Sequence, residues 1–264
     1  FEKICKSLQK VSHQTVLEVN LNAIIHNLNV FKSLLKPKTK IMAVVKAFSY
    51  GSGSYEIASL LQYHHIDYLA VAYADEGIEL KKHGIKLPVM VMIPEYSSVS
   101  TIIENNLEPE IYSFESLQWF LSDDERLIKI HLKFDSGMNR LGFQKNDIDK
   151  LIDILKKHKH IQVSSIFSHL SSADNPHDDT FTQQQIQTFT EMCSKITQNL
   201  NISPLLHILN SAGISRFSEA QFDMVRLGIG LYGIQPDQEN NLQLENVATL
   251  KSNIILIKHI KAGE

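Results

Sequence analysis

The feature that most constrains this chain is a repeating order. Short runs of β-branched and apolar residues alternate with stretches of helical periodicity. Parallel strands cannot be joined by tight hairpins and need a long crossover, usually a helix, so this alternation predicts βαβ units. Eight runs read as strands, over residues 41–45, 68–72, 89–93, 109–112, 128–134, 163–167, 206–209 and 222–225. The fourth is the weakest. Helical spacing covers 55–62, 74–83, 98–105, 114–121, 145–157 and 180–199, with a shorter helix after Ser211. Eight such units predict a closed (β/α)8 TIM barrel, and 264 residues suit one. An open doubly wound sheet is the alternative. It lacks the Gly-x-Gly-x-x-Gly turn expected after the first strand of a dinucleotide-binding version.

Both flanks depart from the repeat. Residues 15–19 read as an extended strand, and 20–35 as a helix capped by Asn20 or Asn22. After Tyr232 a polar loop over 235–241 leads into a strand-rich run, 247–260, that fits no further barrel unit. We expect three parts: 1–14 as linker or fusion remnant, 15–240 as the barrel, and 241–264 as the first strand of a truncated C-terminal β domain. Phe1 in place of an initiator Met reads as a cut end.

Charge and composition exclude several classes. The formal net charge of -3 carries no nucleic-acid footprint. The densest basic run, Lys156 to His160, reads as the solvated end of a helix. No segment is apolar for long enough to span a membrane. The two cysteines, Cys5 and Cys193, form no disulfide framework, which fits a cytoplasmic protein, and the twelve histidines lack metal-ligand spacing.

In a (β/α)8 barrel the chemistry sits where the strands end. Lys46 closes the first strand, Lys133 the fifth, His169 the sixth, Asn210 and Ser211 the seventh, and Arg226 the eighth. The last two loops, the usual phosphate site of this fold, carry Ser211-Ala212-Gly213 and Gly228-Ile229-Gly230, small enough for backbone amides to approach an anion. A lysine beside other cations has its charged form disfavoured and can serve as an amine nucleophile. Lysine facing an anion cradle is what pyridoxal 5'-phosphate requires: a Schiff base at one end and a phosphate site at the other. Arg226 can contact the pyridine nitrogen only as a donor, which leaves the ring a weaker electron sink suited to proton transfer. Asp135 is expected to hold a turn, and Asp75 and Glu76 to cap the following helix.

Four segments, in order, resemble signatures of bacterial alanine racemases: Val44 to Gly53 around Lys46, His131 to Gly142, His207 to Gly213, and Met224 to Gly233. The resemblance covers residues 15–264. It implies that Lys46 carries the cofactor and handles the α-proton of D-alanine. It implies that Tyr50, Ser211, Gly228 and Ile229 hold the phosphate, with Asn210 and Tyr232 in the same segments. Arg226 would donate to the ring nitrogen, with His169 hydrogen-bonded to it. Arg140 would lie near the substrate carboxylate, steadied by Lys133, which family members often carry in carbamylated form. The resemblance further implies a homodimer whose second base, a tyrosine, comes from the partner's C-terminal domain, so that the chain alone turns over alanine weakly or not at all. Phe48-Ser49 and Ser52 depart from the family pattern and are similar to the racemase half of proteins carrying a cell-wall ligase upstream. The alternatives are another fold-type III pyridoxal-phosphate enzyme, or a protein that binds the cofactor without turnover.

Overall fold

A computed structural model describes residues 15–121, 126–237 and 240–264. The elements run β1 (Val16–Val19), α1 (Leu21–Ser33), β2 (Lys40–Val44), α2 (Tyr55–Tyr63), β3 (Tyr68–Val71), α3 (Ala74–Lys82), β4 (Val89–Val91), α4 (Val99–Glu104) and β5 (Glu108–Ile111). They continue with α5 (Phe114–Gln118), β6 (Ile128–Lys133), α6 (Ile148–Lys157), β7 (Ile161–Phe167), α7 (Asp179–Leu200), β8 (Leu205–His207), α8 (Ser211–Arg216), β9 (Met224–Leu227) and β10 (Ala248–Lys251).

Strands β2 to β9 form one eight-stranded parallel sheet, in the order β8-β7-β6-β5-β4-β3-β2-β9. The remaining seam, between β8 and β9, is bridged by backbone bonds from Asp223 N to Leu206 O (3.1 Å) and from Arg226 N to Leu209 O (3.0 Å). The Asp223 carboxylate accepts the Leu206 amide as well. The expected (β/α)8 TIM barrel is therefore the fold, and all eight barrel strands fall where the alternation predicts.

Side chains alternate across each strand, so each strand serves two environments. Ile41, Ala43 and Val45 point outward into the large core under the helices, together with Leu69, Val71, Val89 and Val91. Met42, Val44, Ala70 and Met90 point inward and form a small apolar cluster with Phe167 and Met224. Apart from Phe167 and Met224, the inward positions named in β5 to β9 are polar: Glu108, Glu110, His131, Lys133, Ser165, His207 and Arg226 are all buried. The barrel is thus apolar along one wall and charged along the other.

The first helix begins at Asn20, whose side chain accepts the amides of Asn22 and Ala23, so Asn20 and not Asn22 is the cap. The expected strand over 247–260 is shorter. Only Ala248–Lys251 is a strand, and it pairs antiparallel with β1, Val16 opposite Lys251. All four residues of β1 are paired in this ribbon, and Ile254, Ile255 and Ile257 beyond it are exposed. The expected linker at 1–14 lies outside the described residues. Among the described residues no helix is long and apolar enough to cross a membrane.

Candidate active site

The chain leaves β2 through an unusual turn. Lys46 opens it, and Ala47, Phe48, Ser49 and Tyr50 follow with φ of 53°, 56°, 51° and 54°. Gly51 ends it at φ 84°. The bonds from Ser49 N to Val45 O and from Gly51 N to Ala47 O make it one turn of left-handed helix. For L-residues this costs roughly 1–2 kcal/mol per residue, so tertiary contacts must hold it. Glu76, at the start of α3, does so: its carboxylate accepts the amides of Ala47 (2.7 Å) and Ala72 (2.6 Å). Glu76 caps its helix as expected and also ties that helix to the lysine turn.

The turn aims Tyr50 at the opposite loops. A methyl group built on Gly228 would sit 3.3 Å from the Tyr50 hydroxyl and 4.0 Å from Ser211 Oγ. Ser211 Oγ accepts the amides of Gly228 (3.1 Å) and Gly230 (3.3 Å), which fixes both loops against each other. Asn210 caps α8 through the Gly213 amide. Tyr232 lies behind this group. Its hydroxyl donates to the Val44 carbonyl and its ring packs 4.8 Å from that of Tyr50.

Arg226 is buried and nearly saturated. Its Nη1 donates to His207 Nδ1 (2.8 Å) and to the His207 carbonyl. Its Nη2 donates to the carbonyls of Ser168 (2.6 Å) and Ile208 (3.0 Å) and lies 3.4 Å from His169 Nδ1. An arginine can only donate, so His207 Nδ1 accepts and the proton of neutral His207 sits on Nε2. That proton is offered to Ser165 Oγ (2.8 Å), whose own hydrogen reaches His131 Nδ1 (2.6 Å). His131 Nε2 then faces Glu108 at 2.9 Å. One arginine sets the direction of every hydrogen along this buried chain.

Burial and nearby cations depress the histidines. Burial, followed by Arg226, Arg140, Lys133 and Lys46, brings His169 down to about 3. Burial and Arg226 hold His207 well below its ordinary value. Arg226 itself is lowered to about 10 by burial, against the pull of Glu110.

Lys133 pairs with Glu110 at 2.8 Å. The loop after β6 carries Arg140 and is folded by Asp135, whose carboxylate accepts the amides of Gly137 and Asn139 at 3.0 Å. Asp135 therefore holds the turn, as expected. Gly142 closes the loop at φ 132°, where a Cβ would lie 2.5 Å from the Asp135 nitrogen.

Lys46, Tyr50, Lys133, Arg140, His169, Asn210, Ser211, Arg226, Gly228 and Ile229 all line one cavity of about 560 Å³ at the carboxyl ends of the strands. Of the expected site residues, Tyr232 alone stands outside the lining, supporting Tyr50. Residues 19–236 match the family model described as alanine racemase, N-terminal domain. The chain belongs to this alanine racemase family. It is 35% identical over 253 residues to alanine racemase 1 of Oceanobacillus iheyensis, covering 92% of this chain and 66% of that protein. It is 37% identical over 257 residues to the alanine racemase of Clostridium tetani, covering 94% of this chain and 65% of that protein. The solved alanine racemase of Clostridium difficile 630 in complex with cycloserine superposes with a TM-score of 0.88 at 34% identity, over 95% of this chain and 71% of that one. The chain thus spans about two thirds of the length of the curated racemases it matches.

Glu76, Glu110 and His207 are not among the expected site residues. A signal for Glu110 and His207 exists in the sequence. Both stand in strands at inward-facing positions, Glu110 two residues after Glu108, the spacing that puts both on one face.

Proposed function

We propose that this chain forms the pyridoxal-phosphate-binding barrel of an enzyme that interconverts L-alanine and D-alanine. The observation that carries it is the cradle at Gly228. Only a glycine leaves open the space between the Tyr50 hydroxyl and Ser211 Oγ, and Lys46 opens onto the same cavity. A cavity of about 560 Å³ lies within the range of small-ligand sites. The names of the relatives supply the substrate.

When bound, pyridoxal phosphate supplies an electron sink that acidifies the α-hydrogen of an amino acid. The chain's own residues do the rest. Tyr50, Ser211, Gly228 and Ile229 receive the phosphate. Arg226 has both Nη atoms committed to the protein, so its Nε–H is the donor left for the ring nitrogen. Held as a donor, it keeps that nitrogen without a proton and favours simple proton transfer over transamination. Lys46 Nζ removes and returns the α-hydrogen on one face. Arg140 receives the substrate carboxylate. We assign the acid/base of the other face to a tyrosine of a partner subunit, in a homodimer that shares its active sites. Residues 15–240 would form the cofactor-binding barrel, and 241–264 would belong to a second domain.

The test is cofactor trapping. Borohydride reduction after addition of pyridoxal phosphate should leave a phosphopyridoxyl group on Lys46 and on no surface lysine. A label spread over several lysines would sink the assignment. Full racemase activity from a monomeric chain would sink the shared site.

A further inference from the structure

Lys133 Nζ lies 2.8 Å from Glu110 Oε1, and both side chains are withdrawn from solvent, Lys133 to 10% exposure and Glu110 to 2%. The pair lines the cavity beside Arg140. Beyond Glu110, Lys133 touches the face of Phe167, 5.4 Å from the ring centroid. Burial pushes the Glu110 carboxyl up, and Lys133, Arg226 and His131 oppose that rise.

Carbamylation of a lysine joins an unprotonated amine to carbon dioxide. A nitrogen–carbon bond forms, one carbon–oxygen π pair becomes a carboxylate lone pair, and the nitrogen releases a proton. The product is a two-oxygen anion on the lysine. In this barrel a two-oxygen anion already stands at hydrogen-bond distance from that nitrogen. A carbamate on Lys133 would put a second negative group beside a buried carboxylate, and like charges at such a site strongly disfavour one another.

We infer that Glu110 supplies the anion of this part of the cavity, and that Lys133 remains an unmodified amine held by it. This differs from the carbamylated lysine that the family resemblance implies. It deepens the proposed function, since the role of the pair rests on that function, but the chemical state of Lys133 is measurable without cofactor or substrate.

The experiment equilibrates the full chain with carbon-13 bicarbonate near neutral pH and looks for a carbamate carbonyl resonance. Wild type should show none. Glu110→Gln should show one, and it should vanish when Lys133→Arg is added. A wild-type resonance lost in Lys133→Arg overturns the inference. Silence in both wild type and a folded Glu110→Gln also overturns it, because Glu110 would then not be what keeps the amine bare. If Glu110→Gln does not fold, Glu110→Asp, which withdraws the carboxylate by one methylene, should show a partial resonance. Trapping with a trialkyloxonium reagent and peptide mapping of wild type then decides independently, an alkylated carbamate at Lys133 being the overturning result. A Lys133 carbamate in a protein whose Lys46 still takes the phosphopyridoxyl label would sink this inference alone. An unlabelled Lys46 with a bare Lys133 would sink the proposed function alone.

Discussion

Glu76 accepts the backbone amide of Ala47 at 2.7 Å, and Ala47 is the first left-handed residue after Lys46. The turn is unfavourable by its own backbone energetics, so it depends on contacts such as this one. Glu76→Ala removes acceptors from the amides of Ala47 and Ala72 together. We expect a loss of about 2 kcal/mol in a denaturant titration, and slower labelling of Lys46 by pyridoxal phosphate and borohydride. An unchanged midpoint together with wild-type labelling would show that the turn holds without Glu76.

Gly228→Ala probes the cradle. The new methyl group stands 3.3 Å from the Tyr50 hydroxyl, in the space assigned to the phosphate. The backbone there is not left-handed, so folding should survive. Loss of one good anion contact is worth about 1.5–3 kcal/mol, or roughly tenfold to a hundredfold in cofactor affinity. A spectroscopic titration measures it, and unaltered affinity would remove Gly228 from the site.

Gly142→Ala addresses the loop that carries Arg140. Its Cβ would meet backbone at 2.5 Å and 2.6 Å, on a residue at φ 132°. We expect destabilisation on the order of 3 kcal/mol. Gly84 also has positive φ but open space around it, so Gly84→Ala should cost only about 1 kcal/mol. Equal melting temperatures for the two variants would refute the steric account.

Acid should unfold this protein in a definite window. His169 and His207 both have folded values depressed below 6.5, so the unfolded chain binds more protons than the folded one. Stability is then complete above about 6.5 and falls as pH drops toward about 3, at up to about 1.4 kcal/mol per pH unit for each histidine. Glu108 acts in the same direction: burial raises its carboxyl, but His131, Lys129 and Tyr68 outweigh that and leave it lowered. Glu110, raised, acts in the opposite direction. Denaturant midpoints across this range should shift less in His169→Asn than in wild type. A pH-independent midpoint would contradict the buried neutral histidines.

The outer core is the legible part of the sequence. Ile41, Ala43, Val45, Leu69, Val71, Val89 and Val91 alternate because they face helices, and that period marks a strand. The closing residues of the strands are legible too, since the fold dictates where its mouth lies. What escapes is the inner wall. Glu108-Pro109-Glu110 dilutes the strand signal with a proline and two charges, yet these charges face inward to meet His131 and Lys133. Nothing in Lys46-Ala47-Phe48-Ser49-Tyr50 announces left-handed backbone, because the contacts that impose it come from α3. The β-branched run after Val247 reads as a long strand, but a strand also needs a partner for its backbone groups, and Val16–Val19 pair with Ala248–Lys251 alone.

That partner has a consequence for the order of folding. β1 and β10 meet across nearly the whole chain: the hydroxyls of Thr15 and Ser252, 2.7 Å apart, are separated by 237 positions. Closing so long a loop is entropically unfavourable until the barrel between them has formed and brought the two segments together. The ribbon is two strands wide and almost wholly exposed, so little hydrophobic burial sustains it afterwards. Its amides should therefore gain protection last during refolding and lose it first in native-state hydrogen exchange, through openings that leave the barrel intact.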